Sequence, residues 1–331
     1  MAFTTPLFLP FINGDKECPQ GRGLFLNAEL PQGVDHSVWR DRLHCVQPWR
    51  DRYLTLRSAG YGVDSRRDED AQNYPFALIT VGKHRGETER DIAQAFRLID
   101  DGGPIIIGGP KRAGAAAVKK WLSQSLETVE TFSKHHWQVS IIRAGEGELP
   151  PARLQPDIDG FQTAPGMFSS EHIDEGSAFL AQHLPAANWG DLADFGCGWG
   201  FLSAEALRLG SANSVALIDA HAPSLAAASA NINSLFPEAG VNAHWLDLLK
   251  EQPDERYDTI IMNPPFHTGS KTDADVGARF IAEASKSLKP KGVLYVVANQ
   301  HLPYERTAAA NFSRLDVLGS SNRYKVMRAV R

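Results

Sequence analysis

The chain has 331 residues, 43% of them hydrophobic and 22% charged, with a net charge of −5 and a pI near 6.1. That balance excludes an intrinsically disordered chain, and no apolar run approaches the roughly 20 residues needed to cross a bilayer, so no membrane association is expected. The length is generous for a single core, which makes two domains the expectation. The opening stretch, Met1 to Ile12, is apolar but lacks a basic leading segment and a small-residue cleavage site, so it is not read as a signal peptide. Cys18, Cys45 and Cys197 have no metal-ligand spacing. An odd number of scattered thiols points to a reducing, cytoplasmic compartment, with neither zinc nor disulfides.

In chain order, the first distinctive segment runs from Trp39 to Arg67. It holds Arg40, Arg42, Arg50, Arg52, Arg57, Arg66 and Arg67, interleaved with Trp39, Trp49 and Tyr53. Arginines among aromatics suit phosphates and unstacked bases. The same residues also suit an ordinary solvated helix with Asp41 and Asp51 as partners. Bulk charge does not decide between them, because residues 1–160 carry 20 Lys/Arg against 21 Asp/Glu, and residues 161–331 carry 14 against 18.

Phe76 to Val81 then reads as a strand, Glu87 to Ile99 as a helix, Pro104 to Ile107 as a strand, Ala113 to Leu126 as a helix, and Trp137 to Ile142 as a strand. Gly145 to Asp159, rich in Gly, Pro and acids, suits a connector. The division is therefore placed between a domain of residues 1–155 and one of residues 156–331.

In the second half, Asp194-Phe195-Gly196-Cys197-Gly198-Trp199-Gly200 follows a short apolar stretch and precedes a helical pattern, Phe201 to Leu209. Alternate glycines let a strand-to-helix turn pass close beneath a ligand, and the helix start offers N–H groups. The acid-led G-x-G-x-G spacing differs from both the phosphate-cradling P-loop and the dinucleotide G-x-G-x-x-G. Val215 to Asp219 is a β-rich run ending in an acid about 20 residues beyond the glycines, where a doubly wound fold places a carboxylate for ribose hydroxyls. Asp247 ends the segment Val241 to Leu246 in a similar way. Each acid alone also suits a helix cap.

The apolar run Thr259 to Met262 ends in Asn263-Pro264-Pro265-Phe266-His267. Two consecutive prolines cannot donate to a central ladder, so the strand must stop there. That frees the Asn263 side-chain oxygen and the Pro264 carbonyl as acceptors beside the aromatic face of Phe266. Two acceptors and a stacking surface suit a planar group bearing an NH2. Beyond lie a helix, Asp273 to Leu288, a strand, Val293 to Ala298, and a hairpin formed by Arg314 to Leu318 and Tyr324 to Val330 around Gly319-Ser320-Ser321-Asn322. The Gly loop, two strand-end acids and Asn-Pro-Pro-Phe then align on the carboxyl edge of one mostly parallel α/β sheet. Both halves contain a strand–helix–Gly–strand phrase, as a duplicated fold would.

This constellation resembles the class I S-adenosylmethionine-dependent methyltransferases that methylate amino nitrogens. Thr163-Ala164-Pro165-Gly166-Met167-Phe168-Ser169, Ile173-Asp174-Glu175-Gly176-Ser177, Val296 to Tyr304 and Asn322-Arg323-Tyr324-Lys325-Val326 are similar to the ribosomal RNA guanine-N2 methyltransferases, both the small-subunit methyltransferase C type and its large-subunit relative. Ala164-Pro165-Gly166-Met167 departs from an expected Leu-Pro-Gly-Val but keeps its apolar character. The resemblance implies two tandem Rossmann-like methyltransferase domains, the N-terminal one without a cofactor site, and ribosomal RNA or a ribosomal subunit as partner. It implies contact with S-adenosyl-L-methionine from Phe168, Asp194, Gly196, Cys197, Gly198, Gly200, Asp219, Asp247 and Asn263. Within that set, Asp194 would serve the amino-acid end, Asp219 the ribose and Asp247 the adenine amine. Catalysis would rest on Asn263, Pro264 and Phe266, with His267 a candidate proton relay. Two alternatives remain open: a release-factor glutamine N5 methyltransferase (or, less readily, a DNA adenine one), and a non-catalytic ribosome-binding module. Nothing in the sequence signals oligomerisation, and a monomer is the expectation.

Overall fold

Short runs of β-branched and aromatic residues, with no polar alternation, mark strands covered on both faces, and helices between them supply the cover. In a computed structural model these runs form two seven-stranded sheets. The structure describes residues 5–14, 16–18, 20–66, 73–127, 129–151, 158–265 and 271–331, the side chains of 271–274 excepted. The chain divides into one unit of Met1–Gln155 with Ala164–Gly166, and a second of Pro156–Thr163 with Met167–Arg331.

The first unit contains β1 (Gly23–Leu26), β2 (Leu43–Val46), β3 (Val63–Asp64), β4 (Ala77–Thr80), β5 (Pro104–Pro110), β6 (Glu130–Lys134) and β7 (Trp137–Arg143), in the order β3-β2-β1-β4-β5-β7-β6. The second contains β8 (Asp191–Phe195), β9 (Ser214–Asp219), β10 (Val241–Trp245), β11 (Tyr257–Met262), β12 (Leu288–Asn299), β13 (Arg314–Ser320) and β14 (Tyr324–Val330), in the order β10-β9-β8-β11-β12-β14-β13. Numbered from the start of each unit, the two orders are identical. The expected pair of tandem Rossmann-like folds is present. In each, five parallel strands are closed by an antiparallel pair.

Central strands of the second sheet are buried on both sides, and alternate residues supply opposite cores. Ile260, Met262, Leu294, Val296 and Ala298 face one cluster with Phe280 and Ile281. Leu192, Ile261, Tyr295 and Val297 face the other with Trp189 and Leu180. At about 25 cal/mol per Å² of apolar area, such doubly covered strands are the main source of stability. They also fix the strand register, and with it the carboxyl edge on which the loops sit.

Four strands of the first unit went unforeseen. β1, β2 and β3 are short, at four, four and two residues. β6 is an edge strand with a largely exposed pattern and no hydrophobic signature. Trp39, expected among the exposed aromatics of the Arg-rich segment, is instead 5% exposed and packs edge-on against Phe8 at 4.9 Å. Its large apolar ring gains more from the core than from solvent, so it offers no face to a partner. Tyr53 stays partly exposed, with the guanidinium groups of Arg50 and Arg57 each 5.8 Å from its ring centre. Arg52 pairs with Glu29 rather than Asp51. Arg67 lies outside the described residues. No helix among the described residues is long and apolar enough to cross a membrane.

Candidate active site

The turn after β8 is pinned from below. Gly196 and Cys197 donate backbone N–H bonds to Ile218 O at 2.8 and 3.1 Å, and Gly198 N–H donates to Asp219 Oδ2 at 2.9 Å. These three donors are therefore spent inside the protein. Gly196 (φ +75) and Gly198 (φ +54) have left-handed backbone, and a Cβ built on either would meet nothing within 4 Å. Their missing side chains leave open space above the loop, as a ligand bed requires. Gly200 (φ +92) differs, because a Cβ there would lie 3.2 Å from Ala228 Cα. It permits close packing of the helix Ala222–Leu235, and it is not part of the pocket wall.

That pocket has a volume of about 40 Å³, with Phe168, Gly196, Cys197, Gly198, Trp199 and Asn263 among its walls. Phe168 is 59% exposed, and its carbonyl accepts from Trp199 Nε1 at 3.0 Å, which ties the segment before the site to the Gly loop. Asn231 adds a second tie, donating Nδ2 to both Trp199 O and Gln162 O and accepting from Gln162 N–H. Neither Trp199 nor Asn231 stood out as a positioning residue in the sequence.

Asp194 is fully buried. Its Oδ2 accepts from Ser203 N–H and Ser203 Oγ, 3.1 and 2.7 Å away, so it caps the helix Phe201–Leu209 from within. Its Oδ1 has no hydrogen-bond partner. Burial pushes this carboxyl up to about 7 despite the Ser203 bonds, with the Asp219 charge adding to the rise. Asp219 is also raised, first by desolvation, against the N–H groups of His221 and Gly198 that its carboxylate accepts. Burial drives the Cys197 thiol well above its ordinary value, so it is an apolar wall rather than a nucleophile. Asp247 follows β10, and like Asp194 and Asp219 it is not among the walls of the small pocket. Its Oδ1 accepts from Leu249 N–H and caps a turn, with Lys250 Nζ at 3.5 Å from its other oxygen.

Asn263 sits just past β11, its orientation fixed by a neighbouring helix. Its Nδ2 donates to Asp174 Oδ2 at 2.7 Å and to Ser177 Oγ at 2.8 Å. A carboxylate only accepts, so the atom facing Asp174 must be the amide nitrogen, and the oxygen is turned away. That Oδ1 is shielded from bulk water and has no partner. Asp174 also caps the helix Glu175–Ala181 by accepting from Ser177 N–H. The segment Ile173 to Ser177 carried the family resemblance in the sequence, but no local pattern signals the Asp174 bond to a residue 89 positions away. Pro264 is buried and Pro265 exposed. Phe266 and His267 lie outside the described residues.

In the first unit, β2 holds the place that β9 holds in the second. Gln47 follows it, fully buried. It accepts from Trp49 N–H at 2.9 Å and donates Nε2 to Ala28 O at 2.6 Å. A neutral amide there accepts the N–H two residues on, as Asp219 does from His221, but its second bond is donated to a carbonyl where Asp219 accepts from Gly198.

The family model for the methyltransferase small domain matches residues 160–328. A relative from Shewanella loihica, the ribosomal RNA small subunit methyltransferase C, is 30% identical, covering 70% of both chains. Its namesake from Shewanella oneidensis is 37% identical over 49% of this chain, and there the match spans under half, 46%, of the relative's length. Among solved structures, the T. thermophilus 16S rRNA N2 methyltransferase, solved with AdoMet and guanosine, aligns with a TM-score of 0.77. That alignment covers 96% of this chain and 90% of that one at 22% identity, a likeness that speaks to the fold. The chain belongs to the methyltransferase small domain family, in the group that holds the ribosomal RNA small subunit methyltransferases C.

Proposed function

We propose that the protein transfers a methyl group from S-adenosyl-L-methionine to the exocyclic N2 amine of a guanine in small-subunit ribosomal RNA. The observation that carries this reading is the orientation of Asn263, whose amide nitrogen is committed to Asp174 and Ser177 while its oxygen has no partner. An acceptor held in this way fits an NH2 donor. The pocket residues fit the cofactor. Gly196 and Gly198 leave the bed open, Asp194 just before them has a buried carboxylate oxygen without a partner, and Asp219 sits at the end of β9 where ribose hydroxyls are bound in such folds. When bound, S-adenosylmethionine supplies an electrophilic methyl group on a sulfonium.

The remaining work falls to this chain. An aromatic amine is a poor nucleophile because its lone pair is delocalised into the ring. Asn263 Oδ1, with the Pro264 carbonyl beside it, would hold the amine hydrogens and favour a pyramidal nitrogen whose lone pair points at the methyl carbon. On accepting the methyl group the amine would become positive while held by Asn263 Oδ1 and the Pro264 carbonyl, and it would then release one proton to solvent. This is catalysis by positioning and fixed dipoles, and it needs no strong base. The proposed assignment gives Asp194, Asp219, Phe168 and the Gly196–Gly198 turn to the cofactor, Asn263, Pro264 and Phe266 to the base, and leaves Gly200 and Asp247 as structural residues. The first unit, with Gln47 in place of a strand-end acid, would bind no cofactor and contribute RNA affinity. A cytoplasmic monomer acting on RNA or an assembled subunit fits this reading.

The test is transfer of labelled methyl groups to ribosomal RNA and to subunits from cells lacking the enzyme, followed by nucleoside analysis. N2-methylguanosine is expected. Label on the glutamine of a release factor would overturn the RNA substrate, and failure to bind S-adenosylmethionine would leave only a binding module.

A further inference from the structure

Beside the proposed site, a second and wider cleft of about 470 Å³ lies between the helix Glu175–Ala181 and the turn before β14, lined by Glu175, Phe179, Gln182, Asn322, Arg323 and Tyr324. The buried Gly176 packs between the cleft and Asn263. A Cβ at that glycine would fall 3.2 Å from Tyr324 Cε1 and 3.5 Å from Asn263 Nδ2. The edge of the Tyr324 ring therefore lies near the Asn263 amide nitrogen, within a single nucleotide's reach of the side chain assigned to the target amine. Phe179 lies 6.4 Å from Tyr324 between ring centres, and the Arg323 guanidinium stands 5.4 Å from the centre of the Tyr324 ring. Arg323 is ion-paired with Glu175, with both side chains more than 60% exposed.

We infer that this cleft receives the ribonucleotide joined directly to the target guanine, with its base against Tyr324 and Phe179 and its phosphate on Arg323. The inference rests on the RNA reading above, and its logic is connectivity. A guanine seated at Asn263 is one phosphodiester away from its neighbour, so the adjoining base must come to rest within a single nucleotide's reach. An aromatic wall and a guanidinium are what an unstacked base and its phosphate require. Exchanging Glu175 for a phosphate costs little, because an exposed ion pair contributes little in water. A phosphate also accepts bidentately from the planar guanidinium. The support is rigid, since Ser321 N–H donates to Tyr324 O at 2.8 Å and Tyr324 N–H donates to Ser321 Oγ at 3.0 Å, closing the turn that carries both side chains. The adjacent lysine takes no part, because Lys325 Nζ is buried on Leu302 O and Glu305.

The test compares binding of guanosine with binding of a trinucleotide that has guanosine at its centre, using the full chain with S-adenosylhomocysteine present. The parent should bind the trinucleotide more tightly than guanosine. Arg323→Gln should remove much of that advantage and flatten the salt dependence by a log–log slope of roughly 0.7. Tyr324→Leu, which keeps an apolar wall without a stacking face, should weaken trinucleotide binding roughly 5- to 100-fold. Neither change should move guanosine affinity or cofactor affinity, and circular dichroism checks the fold. A parent that binds guanosine and trinucleotide equally well, or variants that match the parent on the trinucleotide, would overturn the subsite. Loss of guanosine binding in both variants would assign the cleft to the target base instead. A parent that binds the cofactor but neither nucleic-acid probe would overturn the RNA reading itself.

Discussion

At the scale of single residues, Asn263 and Asp194 make opposite trades. Asn263 has its amide nitrogen satisfied and its oxygen without a partner, so replacing it removes the proposed substrate contact together with the bonds to Asp174 and Ser177. Asn263→Ala should reduce methyl transfer by roughly 100- to 1,000-fold, about 2.7–4 kcal/mol, by analogy with loss of one preorganised polar contact. Calorimetry should find S-adenosylmethionine affinity nearly unchanged. Asp194 keeps a carboxyl in the core that burial holds near 7, against an ordinary 3.8. The folded protein thus binds this proton more tightly than the unfolded chain. The stability that protonation provides is full at pH values below about 4 and is lost as pH rises towards 7. Asp194→Asn, with no charge to bury, should therefore unfold at higher temperature than the parent at pH 8, by a stabilisation of roughly 2–4 kcal/mol. Cofactor binding responds in the other direction. A cationic ligand prefers the ionised carboxylate, so affinity should fall by up to roughly tenfold per pH unit below 7, and the Asn variant should lose that dependence. A flat pH profile in the parent would remove Asp194 from the binding of the cation.

At the scale of elements, the turn between β8 and the helix Phe201–Leu209 joins two kinds of glycine that look alike in sequence. Gly198→Ala meets no protein atom, so its cost to stability should be limited to the left-handed backbone, about 1–2 kcal/mol. Its methyl group would nevertheless stand in the ligand bed and should abolish cofactor binding. Gly200→Ala would press on Ala228 as well, and should cost roughly 1–3 kcal/mol, while the protein that remains folded still binds. Paired thermal melts and calorimetry separate the two, and equal binding loss in both would mean that the whole turn simply collapses. The same element shows why Asp219 belongs to the loop as much as to any ligand, since its Oδ2 accepts the Gly198 N–H.

At the scale of the whole molecule, the same strand order appears in both sheets, with Asp219 ending β9 in one and the neutral Gln47 following β2 in the other. The full chain should bind one S-adenosylmethionine per molecule in a calorimetric titration, and a stoichiometry of two would mean that the first unit has kept a site. The Arg-rich helix Arg50–Ser58 of that unit should contribute to RNA affinity. Replacing Arg50, Arg52 and Arg57 together by Ala should weaken RNA binding and reduce its salt slope by roughly 0.7 per lost phosphate contact, leaving cofactor affinity unchanged. Unaltered RNA affinity and slope would return these arginines to local roles, namely Arg50 and Arg57 on Tyr53 and Arg52 on Glu29.

The sequence by itself determined the features that depend on neighbours along the chain. The stop at Pro264-Pro265 is chain chemistry, because a proline cannot donate to a ladder. The glycine-led turn after β8, the strand–helix alternation and the final hairpin follow from local periodicity and turn residues, and each lies within a residue or a few of its expected place. The duplicated fold was legible from a repeated phrase, while β1, β2, β3 and β6 were not, being too short or too exposed to carry a pattern. Tertiary structure decided what depends on contacts between distant segments. It turned the Asn263 amide by means of Asp174 and Ser177, sent Trp39 into the core, and gave Gly200 to the packing of a helix. It also kept Asp247 at its own turn and left Asp194 with an unpartnered oxygen. Those outcomes rest on volume, burial and hydrogen-bond partners supplied from across the fold, and no spacing along the chain encodes them.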